Sequence, residues 1–284
     1  MNKKIVLYSA LFLLLASSRS FSQEMQNTRG WNLGLNFAGY YVSPYTANYY
    51  NGSEENENKI SYIFNNYYWY QEIKNYFNEH EPGSTVYDTM VLGDLPQKMR
   101  YNFAVSPGLF LQYNFNDLYS VTLQFNYLKL KVKDAISINF NPKPYPTFDD
   151  IRLFSIQGLE RRVYIDICLR RNFIKNDNLK YFLSAGFNLN STKVLKSFVY
   201  IGNREYSMIN IYGDNPYVPH TSMQEFEVYQ GGIGFGTNLQ FGASFIFNNI
   251  VCVEPYVTAH YLKVHLEGYT SMRPGVGAGI RFIY

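Results

Sequence analysis

The sequence predicts an eight-stranded antiparallel transmembrane β-barrel, and three observations carry that prediction. Eight segments alternate apolar with small or polar residues, which sets the two kinds on opposite faces of a strand. The connections between them alternate short and long along the chain. The last twelve residues, "RPGVGAGIRFIY", form such a segment and end it on an aromatic.

The elements follow in chain order. "MNKK", the apolar run "IVLYSALFLLLA" and "SSRSFSQ" have the parts of a secretory signal peptide, residues 1–22, with cleavage expected between Ser22 and Gln23. The run falls short of the about 20 residues that a helical span needs. The barrel domain is then 23–284. Its first strand, Gly30 to Val42, sets Trp31, Leu33, Leu35, Phe37 and Tyr41 against Asn32, Gly34, Asn36 and Ala38. The second, Met99 to Phe115, sets Tyr101, Phe103, Val105, Leu109, Leu111 and Tyr113 against Asn102, Ser106, Gln112 and Asn114, with Pro107 suggesting a bulge.

Tyr119 to Lys133, Glu160 to Phe173 and Lys180 to Leu195 are the third to fifth strands. Val228 to Phe247, Ile250 to Leu266 and the C-terminal stretch complete the set. The turns near "FND", "IKNDN" and "NN" are short. Ser43 to Lys98, Asp134 to Leu159, Lys196 to Glu227 and Glu267 to Met272 read as the longer or more irregular connections. Short periplasmic turns and longer extracellular loops belong to outer-membrane barrels. A soluble sandwich would carry Lys and Glu on its polar faces, where this chain has mostly Asn, Gln, Ser, Thr and Gly.

Aromatics make up 18% of the chain, enough to supply two interfacial girdles. Trp31, Tyr113, Tyr119, Tyr181, Phe247 and Tyr284 fall at the periplasmic ends, and Tyr41, Tyr101, Tyr127 and Tyr261 near the outer rim. The net charge of +3 argues against a nucleic-acid partner.

The C-terminal residues Gly279, Phe282 and Tyr284 match the Gly-x-x-aromatic-x-aromatic pattern of outer-membrane barrels, with Gly277 where a polar residue usually stands. In this the chain resembles the small barrels of Gram-negative bacteria, and in its Tyr/Asn-rich composition and mature start at Gln23 the PorT-like barrels of the Bacteroidota. The resemblance implies a cell outer-membrane location and engagement by the barrel assembly machinery. It allows a role in protein secretion or gliding and transfers no functional residue.

Candidate sites come from parity. Arg100, Arg162, Asp166, Arg170, Glu254 and Arg281 are expected in the lumen, with His260 above them. Buried charges need partners. The expected pairs are Glu254 with Arg281, and Asp166 with Arg162 or Arg170; a proton or ligand path is the functional alternative. Lys129, Lys131, Lys133, Lys193 and Lys263 share the lipid-facing parity beyond the outer girdle, placed either to contact lipopolysaccharide phosphates or to stay hydrated.

The first loop, 43–98, carries Ile63, Tyr67, Tyr70, Ile73 and Phe77 at helical spacing. That face is either a platform for a partner protein or glycan, or the packed side of a lid. Cys168 and Cys252 point inward from non-adjacent strands and are expected to be free thiols.

No metal or cofactor is expected, because no His or Cys pair has ligand spacing. The functional expectation is a non-enzymatic surface-binding barrel or a subunit of an envelope or secretion assembly. A narrow channel and an enzyme built around His260, or around His265 and Glu267, are the alternatives.

Overall fold

The computed structural model describes residues 29–80, 86–143, 150–176, 178–212, 228–247 and 251–284. The segment expected to be a leader, 1–22, falls outside them, as do Pro82 and Gly83, expected to end the loop helix.

Among the described residues ten strands form: β1 (Gly30–Tyr41), β2 (Val86–Leu92), β3 (Ala104–Asn114), β4 (Tyr119–Lys143), β5 (Asp150–Asn176), β6 (Leu179–Ile201), β7 (Arg204–Ser207), β8 (Gly231–Phe247), β9 (Val251–Lys263) and β10 (Arg273–Ile283). Eight of them make the barrel. β1 pairs with β3, β3 with β4, and so on through β5, β6, β8, β9 and β10, and β10 pairs back to β1. All eight pairings are antiparallel, so the ring closes without an edge.

The C-terminal strand is the closing strand. Leu35 faces Phe282 across the seam, and the Tyr284 amide donates to the Leu33 carbonyl at 2.9 Å. Its alternate glycines make room for aromatics inside the ring. A Cβ at Gly277 would meet the Tyr40 ring at 2.8 Å, and one at Gly279 the Tyr256 ring at 2.9 Å.

On β4, Val121, Leu123, Phe125 and Tyr127 face out, while Ser120, Thr122, Gln124 and Asn126 are buried in the lumen. The outward apolar band, Tyr119 to Tyr127, is roughly nine residues long, which is what a tilted strand needs to cross a bilayer. β6 (Tyr181 to Leu189) and β9 (Val253 to Tyr261) carry bands of the same length. Trp31, Phe247 and Tyr284 are exposed at one end of the barrel, and Tyr41, Tyr127 and Tyr261 at the other. Lipid explains the sign of this pattern. Apolar side chains go outside, and polar groups must satisfy one another within.

Beyond Tyr127 the pattern inverts while parity is kept. Leu128, Leu130, Val132, Ile136, Ile138 and Phe140 are now the buried, inward residues, and Lys129, Lys131 and Lys133 face out. The strand has left the membrane, so its outer face meets water and its inner face meets protein. β4, β5 and β6 are 25, 27 and 23 residues long, far beyond a membrane crossing. They continue as an extracellular sheet, widened by β2 on β4 and β7 on β6.

Asp134 to Leu159 is therefore not an irregular loop: β4 and β5 stay paired up to Phe140 and Asp150. Lys196 onward likewise continues β6 to Ile201 and turns into β7 through Gly202, whose φ of 62° suits glycine. Two expectations at β3 also change. Met99 to Phe103 precede the strand, and the register runs unbroken through Phe37 and Pro107, so there is no bulge. Pro107 lies where β3 has parted from β4, whose pairing begins at Gly108, and the missing N–H is tolerated there.

The first loop covers this sheet. It forms a 3-10 helix (Pro44–Tyr50), a short helix α1 (Ser61–Phe64) and α2 (Tyr67–His80). Asn66 caps α2 by accepting from the amides of Tyr68 and Trp69 at 3.1 and 3.2 Å. Tyr49, Tyr50, Ile60, Ile63, Ile73 and Phe77 pack on Leu130, Val132, Ile136, Ile138 and Phe140. The largest apolar core thus lies outside the membrane.

Candidate functional site

Three places can carry function: the lumen, the lid over it and the outer wall.

In the lumen, Arg170 is the hub. Its two terminal nitrogens reach the Glu254 carboxylate at 2.9 and 2.6 Å, and it also donates to Gln112, Asn172 and the Ser244 hydroxyl. Such a two-pronged pair is what offsets burial of both charges. Glu254 is therefore held chiefly by Arg170 and not, as expected, by Arg281, which stands 3.7 Å away. Arg281 instead donates to Gln124 at 2.6 Å and to Gln240, between the rings of Tyr256 (4.0 Å) and Phe110 (4.4 Å). β10 brings it opposite Glu254, but the guanidinium swings toward these amides.

Asp166 bridges neither arginine. Asn188 donates to it at 2.7 Å, and His260 Nε2 lies 3.5 Å away. Higher up, Arg162 pairs with Glu160, two residues back on the same face, at 2.6 Å. It also donates to Thr46 and to the Tyr101 hydroxyl. Arg100 is not in the lumen at all: it precedes β3 and is exposed. The same break turns Tyr101 inward, away from the rim position expected for it, because parity does not carry across Asn102 and Phe103.

Glu160 is the residue that parity reading missed. Tyr50 donates to its carboxylate at 2.6 Å, so the lid's 3-10 helix is fastened to the top of the lumen network. Gly158, one turn of the pleat above, leaves the space that the Tyr50 ring fills. A signal was present, since Glu160 shares the face of Arg162. A gap at this level, with a cavity volume of about 20 Å3, lies among Tyr40, Thr46, Arg162, Tyr164 and His260 and has room for one water.

Of the loop face, Ile63, Ile73 and Phe77 are buried and Tyr70 half-buried, its hydroxyl accepting from the Met90 amide at 2.9 Å. These four form the packed side of a lid. Tyr67 is 68% exposed and stands apart from them, so the five do not make one accessible platform. A groove of about 720 Å3 runs instead between α2 and the β6–β7 turn. Tyr68, Gln71, Tyr76 and Asn203 line it, and Glu72 pairs with Arg204 in its wall.

Near the lid's edge Asp150 accepts from Tyr87 and pairs with Arg152 at 2.7 Å. The Arg152 hydrogen bonds hold the Asp150 carboxyl below its usual pKa, outweighing its partial burial.

On the outer wall, Lys129, Lys131 and Lys133 are exposed, and Lys193 and Lys263 are half-buried beside Tyr229 and Phe235. Lys129 faces Arg161 across β4–β5, and Arg161 faces Lys193 across β5–β6.

The residues considered for catalysis do not assemble. His260 is sealed in the lumen, while His265 and Glu267 are exposed with no hydrogen bond between them among the described residues. His80 stacks on Tyr76, and His220 lies outside the described residues. Cys168 and Cys252 are buried and free. Among the described residues no cluster of His, Cys, Asp and Glu has metal-ligand geometry.

No protein-family model matches the chain, and no curated protein does. Solved structures of similar shape include several distant ones. OprG from Pseudomonas aeruginosa is 9% identical, with 92% of this chain and 99% of that one covered at a TM-score of 0.43. Neisserial surface protein A is 12% identical, covering 90% and 98% at 0.42. The attachment invasion locus protein Ail of Yersinia pestis, solved with the heparin analogue sucrose octasulfate, is 9% identical, covering 90% and 99% at 0.36. The closed ring, its outward apolar band and its two aromatic girdles make this chain an outer-membrane β-barrel.

Proposed function

We propose that this is a non-conducting, non-enzymatic barrel that works at the cell surface through its extracellular sheet and lid. One observation carries the reading: the way through the ring is filled twice, by the ion-paired lumen and then by the apolar lid core. An eight-stranded ring is narrow enough for side chains to close it. What remains for contact is on the outside, and the groove beside α2 offers aromatic rings with amide and carboxylate groups, a lining suited to a polar ligand. The Bacteroidota PorT-like kinship and the cleaved leader belong to the same reading. Purified full-length chain in planar bilayers tests it. No unitary conductance is expected, and stable ion-conducting openings in the unaltered protein would refute it.

A second reading, a subunit of an envelope assembly, is favoured by one patch. Val91, Ile151 and Leu153 lie on the outward face of the extracellular sheet and are 52%, 57% and 74% exposed. They stand above the lysines, past the lipid-facing band. Crosslinking from Leu153, replaced by a photoreactive residue in intact cells, would capture a defined protein if this is an assembly surface. Labelling by lipid alone would remove the reading.

A further inference from the structure

Like charges set directly opposite one another on neighbouring strands destabilise a sheet. Yet Lys129, Arg161 and Lys193 stand in one row across β4, β5 and β6, on the outward face. Among the described residues none of the three has a carboxylate within ion-pair distance. The neighbouring Lys196 differs, since Glu205 holds it at 3.1 Å. Lys131 and Lys133 extend the positive row up β4. Three adjacent strands make it about 10 Å wide.

Position adds the second half of the argument. The row begins one outward residue beyond Tyr127 and Val163, where the apolar band ends. A ligand that fits must bring negative charge to the row and apolar chains to the band directly below.

We infer that Lys129, Arg161 and Lys193 form a cross-strand binding site for the phosphate groups of an outer-leaflet phosphoglycolipid. Arg161 in the centre can take two phosphate oxygens at once, and the flanking lysines supply point charges. The bound phosphates neutralise the repulsion within the row and fix the height at which the extracellular sheet rises from the membrane. The site is independent of whatever the lid binds.

The test is native mass spectrometry of the full chain in mixed micelles, titrated with bisphosphorylated lipid A, with lipid A stripped of both phosphates, and with inorganic phosphate. A cation near an anionic membrane surface contributes about fivefold in affinity, so Lys129→Gln/Arg161→Gln/Lys193→Gln should weaken the bisphosphorylated lipid by about a hundredfold. The stripped lipid should bind both proteins equally weakly. Lys129→Arg/Lys193→Arg should retain binding, and Arg171→Gln at the opposite rim should change it less than about twofold. Heat-dependent gel mobility reports that each barrel is folded. Equal retention of the bisphosphorylated lipid by the folded triple variant overturns the site. Inorganic phosphate binding as tightly as the lipid overturns the lipid as its occupant.

Discussion

Glu254 holds the lumen network together, and its removal can be costed. The carboxylate is buried, takes two nitrogens of Arg170 at 2.6 and 2.9 Å and the Ser244 hydroxyl at 2.5 Å, and has Arg281 at 3.7 Å. Glu254→Gln keeps the shape and removes the one carboxylate that, among the described residues, lies within ion-pair distance of both Arg170 and Arg281. At an effective dielectric of about 20, each contact of about 4 Å is a gross loss of about 4 kcal/mol. The amide oxygen still accepts one hydrogen bond from Arg170, which lowers the net destabilisation to about 3–5 kcal/mol. Arg170→Met/Glu254→Gln removes a cation as well and should recover about half of that loss. The assay is reversible urea unfolding of the chain in lipid vesicles. Trp31 on the rim and Trp69 in the lid, the chain's two tryptophans, report barrel and lid separately. A cost below about 1 kcal/mol for Glu254→Gln, or a double variant no better than the single one, would refute the claim that this pairing organises the lumen.

Further predictions concern the lid. Gly158→Leu should collide with the Tyr50 ring, break its bond to Glu160 and destabilise the lid by about 1–3 kcal/mol, seen as faster hydrogen exchange across residues 44–50. Phe77 packs on Phe140 at 4.7 Å, and Phe77→Ala should cost about 3–5 kcal/mol in the lid. Exchange should rise in α2 while β8 and β9 stay protected; equal loss in both would show that lid and barrel unfold as one unit. The Asp150 carboxyl titrates below its ordinary value, so its contribution is present above the unfolded value and lost as pH falls from about 4 through the folded value. Protection of β2, which Tyr87 ties to Asp150, should therefore fall at pH 3 relative to pH 6 once rates are corrected for intrinsic amide exchange, and Asp150→Asn should abolish that difference.

How much of this was legible in the chain depends on which side of the membrane boundary a residue lies. Within the bilayer the strands largely follow one rule, apolar out and polar in, with a few rings such as Phe110 and Phe182 inside, and parity alone placed Arg162, Asp166, Arg170, Glu254, His260 and Arg281 in the lumen. Parity gives the face of a side chain but not which neighbour a long, flexible guanidinium reaches. The pairs Arg170–Glu254 and Arg162–Glu160 therefore emerged only with the strands in place. Above the bilayer the rule changes sign. Leu128, Leu130 and Val132 continue the face of Gln124 and Asn126, and Lys129, Lys131 and Lys133 continue that of Phe125 and Tyr127. Read with the membrane's rule, this inversion looks like the end of a strand and the start of a loop. Read as a change of surroundings, it marks the upper end of the outward apolar band, between Tyr127 and Lys129. It also demands a partner for the newly apolar inner face, which the long first loop supplies through Ile60, Ile63, Ile73 and Phe77. The unpaired row of Lys129, Arg161 and Lys193 at that line has no such partner within the described chain. At the proposed phosphoglycolipid site, a membrane anion supplies the counter-charge.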